Sequence, residues 1–139
     1  MSTSKETGTQ GELEIVAKVP CPNCGKKLMQ LPMSYPLYDV QCTACYFRAQ
    51  VKTSMQKPSD TVLGAGWDII SKVTKAGYQV PPLLINFKWI NGQVIRFYPF
   101  IPRIVLKKRI LSPTAKRANY AMFSYVGLNT LPYFTLYSK

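Results

Sequence analysis

The sequence predicts a single domain of mixed helices and strands that contains a four-cysteine metal site. A chain of 139 residues with 47% hydrophobic content is long enough for one core. Two C-x-x-C pairs, Cys21–Cys24 and Cys42–Cys45, are separated by residues 25–41. Helical and strand-like patterns alternate along the chain, so we expect both kinds of element in one fold.

The elements of the first half follow from local patterns. Residues 1–10 are polar with both charge signs, which indicates a flexible lead-in. Residues 12–17 fit either a short helix or a strand, and periodicity does not decide between them. The next elements are a loop ending at 33–36, strands at 37–41 and 47–53 joined through the second cysteine pair, and a turn at 57–60.

The second half begins with a helix over residues 64–76, in which Trp67, Ile70 and Val73 share a face and Gly77 is the C-cap. Asn91-Gly92 is a preferred two-residue hairpin turn. We therefore expect a β-hairpin there. The predicted elements are hairpin strands at 83–90 and 93–98, a helix from Pro102 through 103–109, a helix at 114–119 capped by Ser112-Pro113, and strands at 122–126 and 133–137.

The two cysteine pairs predict a zinc ribbon whose ligands are Cys21, Cys24, Cys42 and Cys45. Zn²⁺ takes four tetrahedral thiolates, and each C-x-x-C turn supplies two of them. Two disulfides or a redox-active pair are the alternatives, but no signal peptide precedes the pairs. Four protein ligands leave no open position, so we expect the zinc to be structural.

The charge balance favours a polyanionic partner. Lysine and arginine number 18 against 6 acidic residues, and no acidic side chain follows Asp68. Such a field suits nucleic acid, although a solvated basic face or a surface docked on acidic lipid would also explain it. Without an apolar run of about 18 residues or a signal peptide, we expect a cytoplasmic protein without a membrane partner.

A second candidate site lies beside the zinc ribbon. Gln50 and Lys52 share one face of a strand, with Val51 pointing into the core. If Asp39 lies next to them, its carboxylate, the Gln50 amide oxygen and the Val51 carbonyl could hold Mg²⁺, with Lys52 beside the attacking water. The alternative is that Asp39 caps a turn and that Gln50 and Lys52 are surface residues.

The order of motifs extends beyond these two sites. Glu12 is followed by C-P-N-C-G at 21–25, then by the segment 39–45, then by Gln50-Val51-Lys52, and finally by R-I-L-S-P-T-A-K-R-A at 109–118. This order resembles the catalytic domain of DpnI-type methyl-directed restriction endonucleases, in the PD-(D/E)xK nuclease superfamily. Their "L-x-P-T-A-[RK]-R-A" segment is the more specific match, and the resemblance covers most of residues 12–128.

The resemblance implies an α/β PD-(D/E)xK core over residues 11–139 with a zinc ribbon inserted at 21–45. Asp39 takes the metal-binding aspartate position, Lys52 the motif lysine, and Glu12 the acidic residue of the first helix. Gln50 stands where glutamate is usual, and Tyr38 where the motif has proline. The similar enzymes add a winged-helix domain that reads methylated adenine in GATC, beyond the end of this match.

The sequence therefore predicts a Mg²⁺-dependent endodeoxyribonuclease of restriction type that is stabilised by Zn²⁺ and cleaves double-stranded DNA. The alternative is a catalytically inactive zinc-ribbon protein that binds nucleic acid. A homodimer on DNA would supply two active sites, although no sequence feature supports one. The expected DNA contacts are Arg103, Lys107, Lys108, Arg109, Lys116 and Arg117.

Overall fold

The computed structural model of the protein describes residues 4–33, 35–65, 67–109 and 122–139. These residues form two α-helices and nine β-strands. The helices are α1 (Ser4–Lys18) and α2 (Trp67–Lys75). The strands are β1 (Leu28–Gln30), β2 (Val40–Cys42), β3 (Arg48–Ser54), β4 (Val62–Ala65), β5 (Leu83–Trp89), β6 (Gly92–Tyr98), β7 (Leu106–Arg109), β8 (Met122–Tyr125) and β9 (Phe134–Ser138).

The strands form two sheets. The larger sheet has the order β1-β2-β3-β5-β6-β9, and the smaller sheet has the order β4-β8-β7. Strands β3 and β5 are parallel, with Gln50 opposite Leu83 and Lys52 opposite Ile85. A parallel pair needs a crossover connection, and here it runs through β4 and α2. The fold is therefore mixed α/β, and its smaller sheet begins inside that crossover.

Two hydrophobic clusters are built on alternate residues of the central strands. Val51 of β3 and Leu84 of β5 pack with Ile15 of α1 and with β1 and β2, which we call the ribbon strands. Leu83 and Ile85 of β5 belong to the second cluster, with α2 and the smaller sheet. Val51 is buried, which confirms its expected direction into the core. Its neighbours Gln50 and Lys52 must then face the other way.

A partly buried polar network holds α1 against the larger sheet. Glu14 accepts hydrogen bonds from Lys88, Asn86 and Gln93, and Lys18 donates to Gln93 at 2.6 Å. Burial alone would raise the pKa of Glu14, but these hydrogen bonds outweigh it and the pKa is lowered. The helix is thus positioned by polar contacts to β5 and β6 as well as by its single fully buried apolar residue.

Several elements match the sequence-based expectations. Residues 12–17 are helical, which settles the choice between helix and strand. The predicted hairpin is observed, but its turn is Ile90-Asn91, one residue earlier than predicted, because Gly92 is already paired with Trp89. The predicted strands at 47–53, 122–126 and 133–137 are observed as β3, β8 and β9, and the strand predicted at 37–41 begins later, as β2.

Other elements differ from the expectations. Helix α1 already begins at Ser4, so the backbone is helical over most of the expected flexible lead-in 1–10. Helix α2 starts later than predicted because residues 62–65 form β4, paired to β8.

The prediction of a helix through 103–109 was wrong. A 3₁₀ turn covers Arg103–Val105, and Leu106–Arg109 is a strand. Pairing with β8 satisfies the backbone of that strand and buries Leu106. The predicted helix 114–119 lies outside the described residues. Neither helix in the described part of the chain is long and apolar enough to cross a membrane.

Candidate metal centre and adjoining cleft

The four cysteines meet at one point at the end of the ribbon strands. Their Sγ atoms all lie within 4.8 Å of one another. Each C-x-x-C turn forms one knuckle of the cluster. The closest sulfur pairs connect one knuckle to the other, with Cys21 to Cys45 at 3.6 Å and Cys24 to Cys42 at 3.4 Å. Sulfurs around a tetrahedral zinc with Zn–S bonds of about 2.3 Å are roughly 3.8 Å apart. The cluster therefore has the size and donor set for a metal ion such as zinc.

Local backbone geometry forms each knuckle. The N–H of Gly25 donates to the carbonyl of Cys21 at 2.8 Å, and Gly25 has a φ of 79°, which favours glycine. Backbone N–H groups of Asn23 and Ala44 point at the sulfurs of Cys21 and Cys42, at 3.4 and 3.3 Å. All four cysteines are free thiols, so the disulfide alternative is not observed.

The ribbon strands place Asp39 beside β3. The carbonyl of Asp39 accepts from the N–H of Leu31 at 2.8 Å, and its own N–H donates to Ala49 at 3.0 Å. Its carboxylate oxygen Oδ2 accepts from the N–H of Val51 at 2.7 Å. Two residues earlier, Leu37 has a φ of 66°. It lies in a tight turn that is closed by a hydrogen bond from the Tyr38 N–H to the Pro36 carbonyl. Asp39 directly precedes β2, and β2 ends at Cys42, so the cysteine cluster and the second candidate site adjoin the same strand.

The predicted catalytic residues line one cleft. It has a volume of about 610 Å³, and its walls include Glu12, Asp39, Gln50, Val51 and Lys52. The cleft lies where β2 and β3 diverge, because β2 pairs with β3 only at Ala49 and Arg48. Helix α1 forms one wall. Leu63 and Gly64 of β4 and Met122 of β8 also contribute.

The charged groups of the cleft are poorly solvated. Burial raises the pKa of Asp39, and the Val51 N–H and Lys52 offset this only in part. Burial also raises the pKa of Glu12, while a hydrogen bond from Gln30 at 3.2 Å lowers it. Burial lowers the pKa of Lys52, against the pull of both carboxylates. Two carboxylates thus share one ammonium group next to open space, an arrangement that a further cation would stabilise.

Two buried aromatic residues of β8, which the sequence analysis did not assign to the site, lie behind its wall and contact two of its residues. Tyr125 donates its hydroxyl to the Gln50 amide oxygen at 2.5 Å, and the Lys52 ammonium lies 6.0 Å from the centroid of the Phe123 ring. A Cβ on Gly64 would lie 2.6 Å from the Phe123 ring, so β4 needs glycine there. The sequence predicted a strand at 122–126, but the local pattern of those residues does not show that their side chains contact β3.

Three of the predicted DNA contacts can be placed in the described part of the chain, and they are separate from this cleft. Arg103 is exposed and donates to the carbonyl of Thr74 at 2.7 Å. Lys107 and Lys108 are exposed on β7, which is one of the two edge strands of the smaller sheet. Arg109 ends that strand, whereas Lys116 and Arg117 lie outside the described residues. Arg103, Lys107 and Lys108 do not line the cleft, so any role in binding is remote from it.

The fold and its sites define a mixed α/β protein. It has a four-cysteine cluster suited to a metal ion, next to a cleft lined by both acidic and basic side chains. The sequence model of the family DpnI (Dam-replacing family) matches residues 2–135. The chain therefore belongs to this restriction-endonuclease-related family. This confirms the resemblance drawn from the motifs. No curated protein matches the chain.

Proposed function

We propose that the protein is a metal-dependent DNA endonuclease of restriction type. The observation that carries the proposal is the convergence of Glu12, Asp39, Gln50 and Lys52 on one cleft. They come from a helix, a loop end and a strand, so local sequence does not account for their meeting. The family adds independent support, since it is related to restriction endonucleases.

The oxygen atoms on this side of β3 suit Mg²⁺. In a strand, the N–H and C=O of one residue point to the same side. The N–H of Val51 points to Asp39, so its carbonyl lies on that side too. With Asp39 and the Gln50 amide oxygen, it would form a hard-oxygen donor set. Bound Mg²⁺ would lower the pKa of a water molecule and polarise the phosphate.

Lys52 and Glu12 would act on the groups around the reacting phosphate. Lys52 lies on the same face of β3 as Gln50, and its ammonium would offset the charge that develops in the transition state. Glu12 faces the same space from α1 and would orient the water or accept its proton. Its raised pKa makes it a better proton acceptor than an exposed glutamate.

The zinc would have a structural role. Four cysteine ligands leave no coordination position for chemistry. The strands that the cluster joins are β1 and β2. Asp39 precedes β2 directly, and Gln30 of β1 contacts Glu12. Zinc would therefore stabilise the geometry of the cleft without taking part in hydrolysis.

The substrate would be double-stranded DNA. A net charge of +12 attracts a polyanion, and the exposed lysines of β7 would contact phosphates. Methyl-directed cleavage is a further part of the proposal, drawn from the resemblance. Cutting both strands would call for two active sites, which two copies on one DNA would supply.

The test is cleavage of methylated and unmethylated plasmid by the purified protein with Mg²⁺ or Mn²⁺. We expect Lys52→Ala to lose roughly 10²–10³ in rate, the typical effect of removing a preorganised charge. Its DNA affinity should stay nearly unchanged, because one of 18 basic residues is a small part of the field. The matched control is Lys72→Ala, an exposed lysine of α2 with the same charge change.

The second candidate function is a catalytically inactive protein that binds nucleic acid. One observation favours it: position 50 is an amide whose oxygen already accepts a hydrogen bond from Tyr125. If wild type and Gln50→Glu both leave every DNA intact with either metal, while still binding it, this second function replaces the first.

A further inference from the structure

Tyr125 is buried and has a defined partner in the cleft wall. Its exposed fraction is 0%, and its ring meets Phe123 edge-on with centroids 5.0 Å apart. The hydroxyl donates to Oε1 of Gln50 at 2.5 Å. A buried hydroxyl without a partner costs stability, so this contact holds both groups in place.

The contact restricts an otherwise adaptable side chain. A glutamine has three torsions, and its terminal amide turns over a broad range. An amide oxygen has two acceptor sites. Tyr125 occupies one of them and leaves the other for a further ligand.

The hydroxyl comes from a part of the fold that is distant in sequence. Strand β8 is placed by pairing with β4, where Tyr125 lies opposite Val62. Phe123 is on the same face and lies against Gly64 and Lys52. The smaller sheet therefore forms one side of the cleft and supports two of its residues.

We propose that Tyr125 is a positioning residue for metal binding, which holds the Gln50 amide oxygen at the point where it would meet the cation. This rests on the proposed function, since it takes Gln50 as a metal ligand. A neutral amide attracts a cation less than a carboxylate does, so its orientation matters more to affinity. Removing a hydrogen-bond partner of a metal ligand typically costs 10- to 100-fold in metal affinity or activity.

The experiment compares Mn²⁺ binding, by calorimetry or electron paramagnetic resonance, in wild type, Tyr125→Phe and Tyr98→Phe. Tyr98 is the matched control, because it is also fully buried and neither it nor the neighbouring Arg96 lines the cleft. We expect Tyr125→Phe to weaken Mn²⁺ binding on the order of 10-fold. Tyr98→Phe should stay within about two-fold of wild type, because its hydroxyl contacts no ligand.

A second pair of variants tests whether the effect passes through Gln50. In a Gln50→Ala background, Tyr125→Phe should cause no further loss, because the two changes remove the same contact. Equal Mn²⁺ affinity in wild type and Tyr125→Phe would overturn the inference. So would an equal loss in the Gln50→Ala background. Melting temperature and zinc content show that each variant is folded.

The same titration separates this inference from the proposed function. Asp39→Ala should abolish specific Mn²⁺ binding. If Asp39→Ala binds Mn²⁺ as wild type does, the proposed metal site fails and the role of Tyr125 fails with it. If Asp39→Ala loses binding while Tyr125→Phe keeps it, the metal site stands and only the positioning role is overturned.

Discussion

The Val51 N–H donates a 2.7 Å hydrogen bond to the carboxylate of Asp39, which links the strands next to the cysteine cluster to the strand that carries Gln50 and Lys52. The Gln50 N–H, one residue earlier, points the opposite way, to the Pro82 carbonyl at 2.9 Å. At Gln50 and Val51, strand β3 is thus held by β5 on one side and by the Asp39 carboxylate on the other. Asp39 has a structural contact as well as a proposed catalytic one.

Asp39→Asn separates these two roles of the carboxylate. The amide oxygen of asparagine can still accept from Val51, so we expect the melting temperature to change little. The charge is lost, so cleavage should fall by roughly 10²–10³ in rate. Asp39→Ala removes the hydrogen bond as well, and should also lower stability by about 1 kcal/mol. Full cleavage activity in Asp39→Asn would show that the charge has no catalytic role.

Gln50→Glu tests the strength of the proposed Mg²⁺ site. A carboxylate adds negative charge and can still accept from Tyr125, so the Mg²⁺ concentration for half-maximal cleavage should fall. The rate at saturating metal should rise only if weak metal binding limits turnover. Cleavage is measured over a Mg²⁺ titration, with Gln41→Glu, on a neighbouring ribbon strand, as a control for the added charge. An unchanged titration curve would argue against Gln50 as a ligand.

Zinc removal should disrupt the ribbon and the cleft together. We expect about one zinc per chain by elemental analysis, and Cys42→Ser should lose it, because metal binding contributes directly to folding in such sites. Thr43→Ser, next to it in the same knuckle, keeps all four ligands and serves as the control. A chelator that removes zinc and leaves circular dichroism and activity unchanged would contradict the structural role.

Gly11→Ala should disturb the position of α1 over the cleft. A Cβ at Gly11 would lie 1.8 Å from the Thr53 hydroxyl of β3, so the helix or the strand must move. The next residue is Glu12, so cleavage should fall along with stability. Gly8→Ala is the matched control in the same helix, because a Cβ there meets nothing within 4 Å. It should gain up to about 1 kcal/mol in unfolding free energy.

Charge reversal on β7 should weaken DNA binding in a salt-dependent way. The variant Lys107→Glu/Lys108→Glu changes two exposed residues, and each lost phosphate contact should reduce the slope of log affinity against log salt by about 0.9. Lys26→Glu/Lys27→Glu makes the same charge change on exposed residues of the ribbon. If both variants lose affinity equally, binding follows net charge and is not centred on β7.

Short-range patterns were enough to predict several parts of this protein. The C-x-x-C pairs predict the metal cluster because each knuckle closes within a few residues. The Asn91-Gly92 pair predicts the hairpin for the same reason, although the turn itself forms one residue earlier. Period-two alternation places Gln50 and Lys52 on one face of β3 and Val51 on the other, so the composition of the candidate site could be predicted before its surroundings were known.

Only the tertiary structure decided what surrounds those residues. Strand β4 and the strand identity of Leu106–Arg109 depend on pairing with β8, which joins segments about 60 residues apart in the case of Val62 and Tyr125. The position of α1 on the larger sheet depends on contacts such as Glu14 with Lys88, which no helical periodicity encodes. The contact of Tyr125 with Gln50 likewise forms only when two sheets pack. Local sequence specifies turns and faces, whereas burial against distant strands selects the partner for each face.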